Sequence, residues 1–142
     1  MGHQPLLLER SLPAQVFLAI ILPIAFGLLT GYILGQDETA YLVLSILGIG
    51  GGIFAGYDHD GADQGFVRGI MGGLLFGTSI LFAHSVFGDV AKAKLPDPHG
   101  VLVGITTVLG ALLGAWGGAL RRRHIEREKI KSGDAAGFSR SS

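Results

Sequence analysis

Four apolar runs, each close to the length that crosses a bilayer, constrain this chain more than any other feature. They cover residues 12–34, 40–57, 66–87 and 101–120. A hydrocarbon core about 30 Å thick takes about 20 helical residues. Inside hydrocarbon every backbone N–H and C=O must be paired, which a helix does within its own segment. Charged residues are 15% of the chain, against about 25% in an ordinary soluble domain, and they crowd into the ends and the short connections. The pattern predicts an all-α, polytopic membrane protein: a four-transmembrane-helix bundle over residues 1–120, then a basic cytosolic tail over 121–142 whose distal part is disordered.

The details of each run sharpen this expectation. Ser11 is placed to cap the first helix, and Pro13 fits its first turn, where the missing N–H is not needed. Pro23 lies mid-span and predicts a kink, with the freed carbonyl paired by a neighbouring helix. The first run is too long for a cleaved signal peptide, has no basic lead-in and no A-x-A site after it, so it reads as a retained helix. The second run is the shortest and richest in glycine, which leaves a re-entrant hairpin open as an alternative to a full crossing.

Basic residues give the orientation. Arg10, Arg68 and the seven Lys and Arg residues from Arg121 to Arg140 fall on one side, and only Lys92 and Lys94 on the other. Short loops rich in Lys and Arg stay in the cytosol. Both termini and the 58–65 connection are therefore expected there. The Arg121–Lys131 tract reads as a solvated extension of the fourth helix, supported by Arg122–Glu126 at i,i+4. It is suited either to anionic lipid or simply to anchoring topology.

Glycine is the loudest feature of the composition, with 24 residues, and its spacing is regular. The first helix carries Gly27, Gly31 and Gly35. The second carries Gly48, Gly52 and Gly56. The third carries Gly65, Gly69, Gly73 and Gly77, and the fourth Gly110, Gly114 and Gly118. Four residues turn a helix by about 400°, so each run forms a slowly drifting stripe on one face. Lipid tails supply no hydrophobic force between helices, whereas glycine lets two backbones approach closely enough for dense packing. The stripes predict glycine-zipper contacts between helices. Leu47-Gly48-x3-Gly52-x-Phe54-x-Gly56 also superposes on Leu109-Gly110-x3-Gly114-x-Trp116-x-Gly118 at a constant offset of 62 residues. This suggests two tandem hairpins related by an axis along the membrane normal.

Polar candidates are few. The cluster Asp58, His59, Asp60 and Asp63, with Arg68 just inside the third helix, offers oxygens around Gly61 that suit either a hard cation or a helix-capping turn. In the capping reading Arg68 pairs with Asp63 or reaches to the headgroups. His84 lies on the face of Gly73 and Gly77, so it is expected to look into the bundle, as a proton relay or as a hydrogen-bond partner of the outer loop. Thr30, Ser45, Thr78, Ser79, Thr106 and Thr107 are expected to bond from helix to helix. The chain has no cysteine, which excludes disulfides, thiol chemistry and Cys-based metal sites, and its net charge of zero offers nothing to nucleic acid.

Asp60-Gly61 partly resembles the CDP-alcohol phosphotransferases, but that family's Ala-Arg pair and downstream aspartates are absent. Residues 12–34 lack the embedded glutamate of small multidrug transporters, and the chain lacks the asparagine of fluoride channels. The expected function is a non-enzymatic packing component of a homo-oligomer or of a membrane complex, with no cofactor and no metal. A small channel or transporter tuned by His84 or Arg68 is the alternative, and an enzyme acting at the 58–63 loop is a third.

Overall fold

The computed structural model describes residues 9–59, 61–88 and 90–139, with side chains as far as Lys131. Within them run four long helices: α1 (Leu12–Leu34), α2 (Glu38–Tyr57), α3 (Ala62–Phe87) and α4 (Gly100–Ser139). Each is long and apolar enough to cross a membrane. α2 is one unbroken helix of 20 residues, without the interruption a re-entrant hairpin needs. α4 carries on past the apolar run, and its backbone stays helical to Ser139, beyond Ser132 where composition expects order to end. Extending an existing helix adds one bond per residue without a new nucleus.

Helix ends depart from the sequence expectation in instructive ways. α2 starts two residues earlier than its apolar run because Asp37 caps it, its Oδ1 accepting from the Ala40 N–H at 2.7 Å. α3 is capped not by an aspartate but by Gly61, whose φ of 122° suits a residue without Cβ. Asp63 instead sits in the first turn, beside the positive end of the helix. Ser11, the expected cap of α1, makes no side-chain capping bond, although Pro13 does occupy the first turn.

α3 and α4 pack along most of their lengths and form the centre of the bundle. α1 lies on α3 and α2 on α4, while α1 and α2 touch each other far less. The glycines mark these contacts. A Cβ on Gly69 would strike the Gly110 carbonyl, one on Gly73 the Thr106 carbonyl, and one on either Gly56 or Gly65 the Gly114 carbonyl. On α1, a Cβ at Gly27 would lie 2.6 Å from the Phe76 carbonyl oxygen, and one at Gly31 would strike that of Ile80. Gly77 faces Thr106, Gly118 faces the Gly61 carbonyl, and Gly48 faces the Phe76 ring rather than backbone. Gly52 shares the stripe but has only ordinary contacts, the nearest at 3.5 Å. Gly35 lies one residue beyond α1 as its C-cap and ends the helix. Gly117, outside the four-residue period, packs tightly on the Ile53 carbonyl.

The two halves of the bundle differ. Toward the end opposite the termini, Leu34, Tyr41, Phe76, Ile80 and Ala93 form a buried core. The connection between α3 and α4 closes over it. The Lys92 N–H donates to the Leu34 carbonyl at 2.8 Å, satisfying an orphan acceptor at the end of α1. The hairpin α3–α4 is packed tightly while α1–α2 is splayed, so the two 62-residue-offset hairpins are not equivalent in packing.

Candidate functional site

The splaying of α1 from α2 leaves a cavity of about 400 Å³. Its walls are largely glycine and apolar side chains: Gly48, Gly51 and Gly52 from α2, Gly69, Gly72 and Gly73 from α3. Phe26 and Phe76, stacked with centroids 6.1 Å apart, lie at the deep end, which adjoins the buried core. Asp58 and Arg68 lie at the other end, toward the termini. Leu22 of α1 and Leu47 and Phe54 of α2 line the cavity while remaining 47%, 60% and 79% exposed, so the cavity opens sideways between these two helices.

Arg68 is positioned by a defect in α1. Residues Phe17–Ile21 form a π-helical stretch, and the Leu22 N–H donates to the Phe17 carbonyl. The widened turn lies directly before Pro23, and prolines and π bulges are both places where helices bend. In this register the Leu18 carbonyl faces Pro23, which has no N–H to offer. Arg68 supplies the missing donor, its Nη2 lying 2.7 Å from the Leu18 oxygen. The neighbouring-helix rescue expected around Pro23 is thus made by a guanidinium. Arg68 is 8% exposed and its Nε has no hydrogen-bond partner among the described residues. It neither pairs with Asp63 nor reaches outward. Five residues separate the two along α3, which places them about 140° apart around the helix.

The acidic cluster is dispersed. Asp58, the C-cap of α2, pairs with Arg10 at 3.2 Å. His59 contacts the Ala55 carbonyl through Nδ1 at 3.0 Å, Asp63 is exposed, and Asp60 lies outside the described residues. No group of three metal-ligating side chains comes together among the described residues. The hydroxyls also divide. Thr106 donates to the Gly73 carbonyl at 2.9 Å, across the α3–α4 contact. Thr30 and Thr107 turn back to the carbonyls of Phe26 and Val103 in their own helices.

His84 does not look into the bundle. It is half-buried and lines a shallow surface depression with Thr78, Ser85 and His99. The reason is helix length. Gly77 faces Val103, only three residues inside α4, whereas His84 rises about 10 Å further along α3, past the start of α4. Arg121, grouped by sequence with the solvated tail, is 7% exposed, with its guanidinium carbon 5.2 Å from the Tyr57 ring centroid. The pair Arg122–Glu126 forms as expected, at 3.2 Å and exposed.

No family model, curated protein or solved structure matches this chain.

Proposed function

We propose that this chain is a non-enzymatic integral membrane component that works by association within the bilayer, with a second copy of itself or with another membrane protein. Glycine zippers hold α2, α3 and α4 together, and both termini lie in the cytosol. The backbone-to-backbone fit of α3 on α4 is the observation that carries this reading, because such contact is the main means of holding helices together where lipid provides no hydrophobic force. Polar side chains between the helices serve the same end: Arg68 and Thr106 donate to backbone carbonyls of neighbouring helices.

The outward face of α2 is suited to the association. Ile46, Gly50 and Phe54 recur four residues apart. Ile46 and Phe54 are 71% and 79% exposed, and nothing stands within 4 Å of a Cβ built on Gly50. A partner helix gains close approach at that glycine. Mass measurement of the protein in nanodiscs, with Gly50→Leu as the variant, tests this reading. We expect an oligomer in the native chain and monomers in the variant. A native chain that stays monomeric, and that recovers no membrane protein by crosslinking from residue 46 in its own membrane, refutes it.

A conduit is the second reading, favoured by the cavity beside Arg68. The packed core at the deep end argues for a closed pocket over a path. Ion and proton flux into liposomes, abolished by Arg68→Gln, would reverse that preference.

A further inference from the structure

We propose that the cavity between α1 and α2 is a binding site for an anionic phospholipid of the termini-side leaflet, with its phosphate on Arg68 and one acyl chain along the glycine wall of α2. This rests on the reading of the chain as a membrane protein, but not on its association with a partner.

The polarity of the cavity runs in the same direction as a lipid. Arg68 is six residues inside α3, about 9 Å from its start, and α3 at 26 residues overhangs a 30 Å hydrocarbon core by a few ångströms on each side. The guanidinium therefore sits near the level where headgroup meets acyl chain. From Arg68 to Phe76 the cavity continues about 12 Å toward the midplane between glycine and apolar walls. Its opening is lateral and framed by exposed Leu22, Leu47 and Phe54, so what reaches it comes from hydrocarbon rather than from water. Its volume of about 400 Å³ falls within the roughly 300–1,000 Å³ range of ligand pockets.

Charge selects the headgroup. Arg68 is more than nine-tenths buried at the cavity wall, with a hydrogen bond to a neutral carbonyl and its Nε unpartnered among the described residues. The carboxylate beside it, Asp58, is already engaged by Arg10. Of the two charged residues in the cavity lining, Asp58 has Arg10 as its ion-pair partner, while the hydrogen bond of Arg68 goes to an uncharged carbonyl. A buried cation demands an acceptor, and a phosphate oxygen is the anionic acceptor that a bilayer supplies at this depth.

The glycines provide a clean test. A Cβ on Gly51 meets nothing within 4 Å, yet Gly51 lines the cavity, so Gly51→Leu fills the acyl site without colliding with the bundle. The full-length protein is reconstituted in nanodiscs of phosphatidylcholine with phosphatidylglycerol, released, and its retained lipid counted by native mass spectrometry. We expect one phosphatidylglycerol retained by the native chain and by Gly104→Leu, which is off the cavity and where a Cβ meets nothing within 4 Å. Retention should fall about tenfold or more in Arg68→Gln and in Gly51→Leu, the scale of one charge-assisted hydrogen bond. Arg122→Gln with Arg123→Gln, on the basic tail, should leave it unchanged. Equal retention of phosphatidylcholine, undiminished retention in Gly51→Leu, or loss on changing only the tail would each overturn the proposal. Should Arg68→Gln fail to fold, Gly51→Leu against Gly104→Leu still decides it.

Discussion

Alanine at Gly69 tests the packing argument most directly. An alanine Cβ there would lie 2.6 Å from the Gly110 carbonyl carbon and 2.9 Å from the Ala111 Cα, and closer still to the Gly110 oxygen. Ordinary contact begins at 3.4 Å, so the gap to the carbon alone is short by 3.4 − 2.6 = 0.8 Å. Both obstacles are backbone, and no side chain can rotate aside. α3 and α4 must move apart by about 1 Å, which forfeits a quarter to a half of the dispersion energy of the contacts around it. Overpacking of this kind costs about 1–3 kcal/mol, and the rigid neighbours put Gly69 at the upper end. Alanine is a better helix former than glycine by about 1 kcal/mol on aqueous scales, which offsets part of this. The net expectation is a loss of about 2 kcal/mol. Gly104→Ala is the control, because a Cβ there meets nothing within 4 Å and only the helix preference remains, a gain of up to about 1 kcal/mol. Reversible unfolding in mixed micelles, titrated with a denaturing detergent, measures both. If Gly69→Ala is as stable as Gly104→Ala, backbone contact across α3–α4 does not hold the bundle.

Two further predictions follow from the α1 defect and from the charge pattern. Pro23→Ala restores an N–H in α1 that competes with Arg68 for the freed carbonyl, so the stability effects of Pro23→Ala and Arg68→Gln should be non-additive by at least about 0.5 kcal/mol in a double-mutant cycle, and strict additivity would sever the two. Single cysteines replacing Lys94 and Glu128 in this cysteine-free chain should react with a membrane-impermeant thiol reagent on opposite sides of intact cells, residue 94 from outside only; labelling of residue 128 from outside would invert the topology.

What the sequence made legible follows from the range over which each signal acts. The helices are local: their apolar runs are unbroken, and the structure adds capping turns at Glu38 and Ala62 and carries the backbone of α4 on to Ser139. The glycine spacing also reports a local property, which residues share a face. It does not report how near the facing helix comes. Gly52 and Gly56 are therefore indistinguishable in sequence, yet Gly56 is in hard contact and Gly52 borders a void. Arg68 was legible as a cation inside a helix, but its acceptor lies 50 residues away, on a carbonyl freed by a π turn that no periodicity announces. The facing of His84 failed for the same reason: helical phase gave its direction, and the starting point of α4 decided what stood there. Arg121 looked like the first residue of a charged tail because sequence shows charge, while the aromatic face of Tyr57 that covers it comes from another helix.

The Leu18 carbonyl has a consequence for the order in which this protein is made. α1 leaves the ribosome before Arg68, and until α3 is made the Leu18 carbonyl lacks the donor that Arg68 supplies. An unsatisfied backbone group in hydrocarbon costs several kcal/mol. The first of the four described helices is thus completed by a residue of the third. A chain truncated before residue 68 keeps two helices of adequate length and apolarity but lacks the donor that finishes the first.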